Sequence, residues 1–173
     1  QDNFYVAHLG LEKSIRRFRT SFGVDYSNLN NHEQIQGNLS VIYYPFGNLN
    51  LYSVSNAYII QENILNEQFN RYAFAQKAGF KAAKWLWIEG DVLFGEIKNM
   101  TINNAFIVYN GYETITSRYG LTLLLSKQKF NLRLQGAYEE YYSTFTGLQG
   151  IQTSLNRINN NAFSITGGIS WNF

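Results

Sequence analysis

Along almost the whole chain apolar side chains recur at every second position, and that periodicity decides what the backbone can become. Successive residues of a strand point to opposite faces, so a period of two gives one greasy and one polar face, whereas a helix needs apolar residues three and four apart. In residues 17–26, Phe18, Thr20, Phe22, Val24 and Tyr26 share one face and Arg17, Arg19, Ser21, Gly23 and Asp25 the other. Residues 130–138 divide the same way, with Phe130, Leu132, Leu134, Gly136 and Tyr138 opposed to Asn131, Arg133, Gln135 and Ala137, and Glu139 continuing the polar side. Residues 85–94 set Leu86, Ile88, Gly90, Val92 and Phe94 against Trp85, Trp87, Glu89 and Asp91, and residues 118–126 set Tyr119, Leu121, Leu123 and Leu125 against Arg118, Gly120, Thr122 and Ser126. The end of the chain, 162–173, places Phe163, Ile165, Ile169, Trp171 and Phe173 on one face. Residues 34–44 and 71–80 alternate more weakly. Segments 4–11 and 51–61 are apolar enough for strands but keep both faces open; in the latter Asn56 interrupts one choice and Ser53 and Ser55 the other. The chain therefore reads as all-β, a single domain over residues 1–173.

Composition removes other classes. With 45% hydrophobic residues, 13 Tyr and 13 Phe, the chain has enough apolar surface to offset the entropy of ordering. Without Cys there is no disulfide framework, thiolate metal site or cysteine nucleophile. A net charge of +2 is too small for a nucleic-acid partner, which calls for a concentrated basic stripe. No run approaches the roughly 18–20 apolar residues of a membrane-spanning helix. The chain begins at Gln1 without a basic, apolar leader or a lipidated Cys, as a mature secreted protein or a trimmed fragment would.

The connections alternate in length. Short ones are expected at 12–16, 45–50, 81–84 and 126–129, and long ones, rich in Asn, Gln, Gly and Thr, at 27–33, 61–68, 96–117 and 143–161. Aromatics gather near strand ends, among them Tyr43, Tyr52, Phe80, Trp85 and Tyr138. The chain closes on Gly167-Gly168-Ile169-Ser170-Trp171-Asn172-Phe173. Strands of about ten residues, tight turns at one end and longer loops at the other, aromatic girdles and an aromatic terminus together resemble the outer-membrane β-barrel proteins of Gram-negative bacteria. The phrase from Tyr43 to Tyr52 and the richness in Asn and Tyr look like barrels from the Bacteroidota. The resemblance implies a transmembrane antiparallel up-and-down β-barrel in the bacterial outer membrane, surrounded by lipid and lipopolysaccharide. It also implies that Ile169, Trp171 and Phe173 form the signal read by the barrel-assembly machinery. A soluble sandwich or lipocalin-like cup alternates too, with its apolar face inward. The terminal aromatic, the unequal connections and the bulk of Tyr and Phe favour the membrane barrel.

The strand count is about nine, where single-chain bacterial barrels are even. Three resolutions stay open: an extra strand at 103–109, a first segment that does not span, or a chain that is the C-terminal part of a larger barrel. The expectation is one barrel of eight to ten strands, with the larger barrel as the alternative. Its interior would hold an ionic network of Arg17, Arg19, Asp25, Lys77, Glu89, Asp91, Arg118, Arg133 and Glu139, nearly balanced in sign because enclosed charges must be paired. Lys77 is expected near Trp87 or Glu89.

Catalytic chemistry finds little support. His8 and His32 are the only histidines, and neither has a second ligand at metal spacing. A serine hydrolase could be assembled only from His32 and a loop serine such as Ser27. Glu139 and Glu140 are adjacent on a strand and point opposite ways, so they form no cooperating pair. Phosphate loops and nucleophile elbows are missing, and no cofactor is implied. The apolar residues Ile102, Phe106, Ile107, Phe145, Leu148, Ile151 and Leu155 in the two longest loops suggest a cap over the mouth or a contact with a partner. The expected function is a non-enzymatic structural or accessory subunit of a cell-envelope complex. The alternatives are a porin-like barrel for small solutes and a lipid-modifying barrel enzyme.

Overall fold

A computed structural model describes residues 4–29, 32–64, 67–102, 104–109, 111, 113–149 and 152–171, of which 64, 67, 145–149 and 152–156 by their backbone alone. Eleven strands follow one another: β1 (Tyr5–Ile15), β2 (Phe18–Leu29), β3 (His32–Tyr43), β4 (Leu51–Ile64), β5 (Glu67–Ala83), β6 (Leu86–Ile97), β7 (Met100–Ile102), β8 (Ile107–Tyr109), β9 (Thr114–Lys127), β10 (Phe130–Gln149) and β11 (Gln152–Trp171). Nine of them form one antiparallel sheet in the order β1-β2-β3-β4-β5-β6-β9-β10-β11, and β7 pairs with β8 as a separate hairpin. Every segment read as a strand lies in the large sheet. The described residues of the stretch 103–109 contribute only the short β8, too short to span, and leave the direction of the turns unchanged. With nine strands, β1 and β11 run the same way, and no ladder joins them among the described residues.

Three expected long loops are strand instead. β2 and β3 pair out to Leu29 and His32, β4 and β5 to Ile64 and Glu67, and β10 and β11 to Gln149 and Gln152. Their Asn-, Gln- and Thr-rich sequences look like loops, but ladder bonds are made by the backbone and do not require apolar side chains. Among the described residues, the connection between β6 and β9 is the one long segment that leaves the sheet. At the opposite end Arg16 and Gln128 take left-handed backbone angles of 53° and 54°, letting two-residue turns reverse the chain.

The register fixes the faces. On the outer face Phe22, Val24, Tyr26, Ile35, Leu39, Ile59, Tyr72, Phe74, Tyr119 and Leu121 are exposed, while Leu123 and Leu132 lie half-buried beside them rather than gathered at a centre. The inner face, which hairpin β7–β8 covers, buries Asp25, Gln34, Gln36, Asn38, Glu62 and Thr122. The ambiguous strand β4 turns Val54, Asn56, Tyr58 and Ile60 inward. Ser53 and Ser55 point outward, where Gln76 donates to the Ser53 hydroxyl at 2.7 Å and accepts from Ser55 at 2.6 Å. The three polar groups satisfy one another, and this is how two serines are tolerated on the greasy face. The apolar inner residues of β4 have a partner of their own. Tyr58, Ile60, Ala73, Leu93, Ile97 and Met100 form the apolar core, made between the inner face and the inserted hairpin.

Candidate functional site

The hairpin reaches the far side of the inner face through a set of side-chain clamps. Gln36 on β3 treats Thr101 as a neighbouring strand would: its amide donates to the Thr101 carbonyl at 2.7 Å, and its oxygen accepts from the Thr101 N–H at 3.1 Å. The Gln34 amide donates to the Asn99 carbonyl, and Arg71 donates to the carbonyls of Glu96 and Lys98. Asp25, 1% exposed, is the hub: it accepts from Thr101 Oγ1 at 2.5 Å, from Gln36 at 3.3 Å and Asn38 at 3.4 Å, and pairs with His8. A buried carboxylate needs such a ring of donors, because unpaired charge in a low dielectric is expensive.

Beside the hairpin lies a cavity of about 620 Å³, lined by residues from β1 through β10, so the sheet curls around it. Its walls carry Glu12, Arg19, Lys77, Glu89, Asp91, Arg118 and Arg133. Arg19 meets Glu12 at 2.5 Å, Lys77 meets Glu89 at 3.0 Å, and Arg118 bridges Asp91 at 2.7 Å and Glu139 at 3.1 Å. Gly120 stands opposite Asp91, and a Cβ there would run into its carboxylate; Gly79 likewise leaves room for the ring of Tyr52.

Of the nine residues expected in an ionic network, eight lie on this inner face. The exception is Arg17, which sits exposed in the turn between β1 and β2, since that strand begins only at Phe18. Arg133 is on the inner face but donates to Gln135 at 3.0 Å. Among the expected interfacial aromatics, Tyr43 stacks on Phe18 with centroids 4.7 Å apart, Tyr138 lies 6.3 Å from Tyr119, Phe80 faces outward and Trp85 lies in a turn. Tyr52 departs from that set. It points inward, stacks on Trp87 at 5.7 Å and donates to Glu89, because it opposes Gly79 on the polar side of the register. Ile169 and Trp171 are exposed on the outer face, and Phe173 lies outside the described residues. So does Ile151, as do the side chains of Phe145, Leu148 and Leu155.

Several functional side chains were invisible in the sequence. His8 has no neighbour of ligand type along the chain, yet it stands directly opposite Asp25 once β1 and β2 are paired from their turn. The turn position was the available signal. His32 approaches Glu62 at 3.5 Å, and Arg71 pairs with the same carboxylate at 3.0 Å. Ser27, the serine considered with His32, is buried and its hydroxyl has no hydrogen-bond partner among the described residues. Groups of three or more residues able to hold a metal are not found among the described residues. On the hairpin, burial raises the phenol of Tyr109 above its ordinary range, with a smaller push from Glu139 and Asp91 and an opposing pull from Arg118. Protein-family models, curated proteins and solved structures yield no match to this chain.

Proposed function

We propose that the chain is an integral β-barrel protein of a bacterial outer membrane, with no catalytic role, whose outer face meets acyl chains and whose inner face encloses polar matter. The observation that carries this is the inversion of polarity: Phe22, Leu121, Ile165 and Ile169 are 52–71% exposed while Asp25 and Gln36 are each 1% exposed. In water such an arrangement is costly, since large exposed apolar faces drive association. In hydrocarbon it is what a barrel wall requires. From the outward Phe18 to the outward Tyr26 the strand rises about 26 Å at about 3.3 Å per residue, enough to cross an apolar band when tilted. Lipopolysaccharide and lipid are then the surroundings, and barrel-assembly machinery reads the terminal strand.

Closure belongs to this reading. Unpaired edge amides in lipid cost several kcal/mol each, so β1 and β11 need partners. Because they run the same way, and bacterial barrels keep even strand numbers, further strands between them are favoured over a direct parallel ladder. The chain is then one portion of a larger wall. Gel mobility that changes on boiling and extraction only by detergent are the expected results; a monodisperse chain without detergent removes the reading.

A second reading, passage of small hydrophilic solutes, is favoured by the cavity of about 620 Å³ beside a hairpin that narrows the interior. Planar-bilayer conductance separates it from a structural or accessory subunit of the envelope, which would not conduct.

A further inference from the structure

The tight turns carry charge almost entirely of one sign. Residues 12–19, 81–84 and 127–129 hold eight of the 14 Lys and Arg and one of the 12 Asp and Glu, so six cations and eleven carboxylates remain for the rest of the chain. The sheet brings these turns into one rim, because consecutive hairpins reverse at the same end and hydrogen-bond to one another. Tyr44 N–H donates to the Arg17 carbonyl, Lys81 N–H to the Asn50 carbonyl and Ser126 N–H to the Trp85 carbonyl, each at 2.8 Å. The last of these bonds brings the chain neighbours Lys84 and Lys127 to the same stretch of rim. Arg19 holds Glu12, and the other seven cations are exposed with no carboxylate at ion-pair distance among the described residues. Neighbouring turns lie two strands apart, about 10 Å, which is about one Debye length at 0.1 M salt, so these charges repel one another.

Where the rim is not charged it is greasy. The β3–β4 turn carries no charge and exposes Phe46 and Leu49. Phe18 stacks on Tyr43 beside it, Phe130 meets Trp171 edge-on with centroids 6.1 Å apart, and Trp85 is exposed. Lys13 opposes Thr20 on the outer face, between Leu11 and Ile15, where its stem can lie along acyl chains while the ammonium reaches the headgroups. An acidic protein surface would ask only for the cations. Cations interleaved with exposed aromatics fit the boundary of a bilayer. We propose that this rim binds phospholipids with a net negative headgroup, of the phosphatidylglycerol kind, in the leaflet that holds the tight turns. Phosphate oxygens accept from the lysines and arginines, and the acyl chains pack on Phe46, Trp85 and Trp171. The proposal rests on the membrane reading and adds the chemistry of the lipid.

The exposed tryptophans Trp85 and Trp171 both lie at this end, so their fluorescence reports locally on the lipid beside the rim. The test reconstitutes the purified full chain in phosphatidylcholine vesicles that hold an equal share of brominated phosphatidylglycerol or of brominated phosphatidylcholine, and compares the quenching. Expected is stronger quenching by the anionic lipid, an enrichment of about fivefold at low salt, which is the worth of about one cation at an anionic surface. Raised salt should shrink it. Combining Lys81→Gln, Lys84→Gln, Lys127→Gln and Lys129→Gln should remove most of the preference, whereas Arg157→Gln, at the opposite end of the sheet, should leave it unchanged. Equal quenching by the two lipids, or a preference that survives the fourfold substitution, would overturn the proposal while the membrane reading stands, and would assign the cations to solvent or to an acidic protein. No quenching by either lipid overturns both. Should the fourfold variant not insert, the salt dependence of the wild-type preference decides: a preference indifferent to salt overturns the proposal.

Discussion

The stretch of sheet beneath the hairpin and the flanks that it leaves bare obey the same alternation, yet they are held in different ways. Between β2 and β6 the inner face has something laid on it: Met100 and Ile97 pack on Tyr58, Ile60 and Leu93, and Thr101 closes the donors around Asp25. Along β11 the described side chains are exposed on both faces, and β1 is nearly as bare, so each is held by a single ladder. Alternation alone therefore sorts residues to faces without anchoring them. Stability in a sheet turned inside out comes from whatever covers its polar side.

Breaking the covered region should have the largest effect. Asp25→Ala strands the donors of Gln36, Asn38 and Thr101 in a buried site and should cost about 3–5 kcal/mol, seen as a lower urea midpoint and proteolysis at the hairpin tip near Phe106. If Asp25→Ala costs no more than Glu139→Ala on the uncovered flank, the two regions are not held differently. Met100→Ala opens a cavity beneath the hairpin and should cost about 2–5 kcal/mol, whereas Ile165→Ala on the exposed outer face of β11 should stay within about 0.5 kcal/mol. Removing Arg118 with Arg118→Gln leaves Asp91 and Glu139 facing each other. A partly exposed pair is screened by solvent, so about 1 kcal/mol is expected, largest at low salt. The smallest effect concerns Tyr109, whose phenol is raised above the unfolded value of about 10. Its contribution to docking is complete below that unfolded value and is lost as pH rises through the folded one. Hairpin protection against protease should fall at alkaline pH, and Tyr109→Phe should flatten that fall.

How much was legible follows from the range of each interaction. The strands of 17–26, 85–94, 118–126 and 130–138 were readable because their periodicity is local. The long extensions of β4, β5, β10 and β11 were not, since polar residues in a ladder look like polar residues in a loop. Lys77 beside Glu89 could be anticipated from a single hairpin with a recognisable turn. Asp25 beside Thr101 could not: the two are 76 residues apart and meet only because the connection between β6 and β9 folds back over β3. Tyr52 was misplaced for a related reason. Its aromatic character suggested an interface, and only its register with Gly79 sets it on the inner side.

The sequence by itself determined that this chain alternates, that in its clearest strands the charges gather on one face and most aromatics on the other, and where its tight turns fall, because those properties belong to neighbouring residues and the two-residue repeat of a strand. Which way the faces look, which strand lies at each edge, and what fills the polar side were decided by the tertiary structure. Those depend on register across many strands and on one hairpin crossing between distant ones, and both are settled by packing that no local pattern encodes.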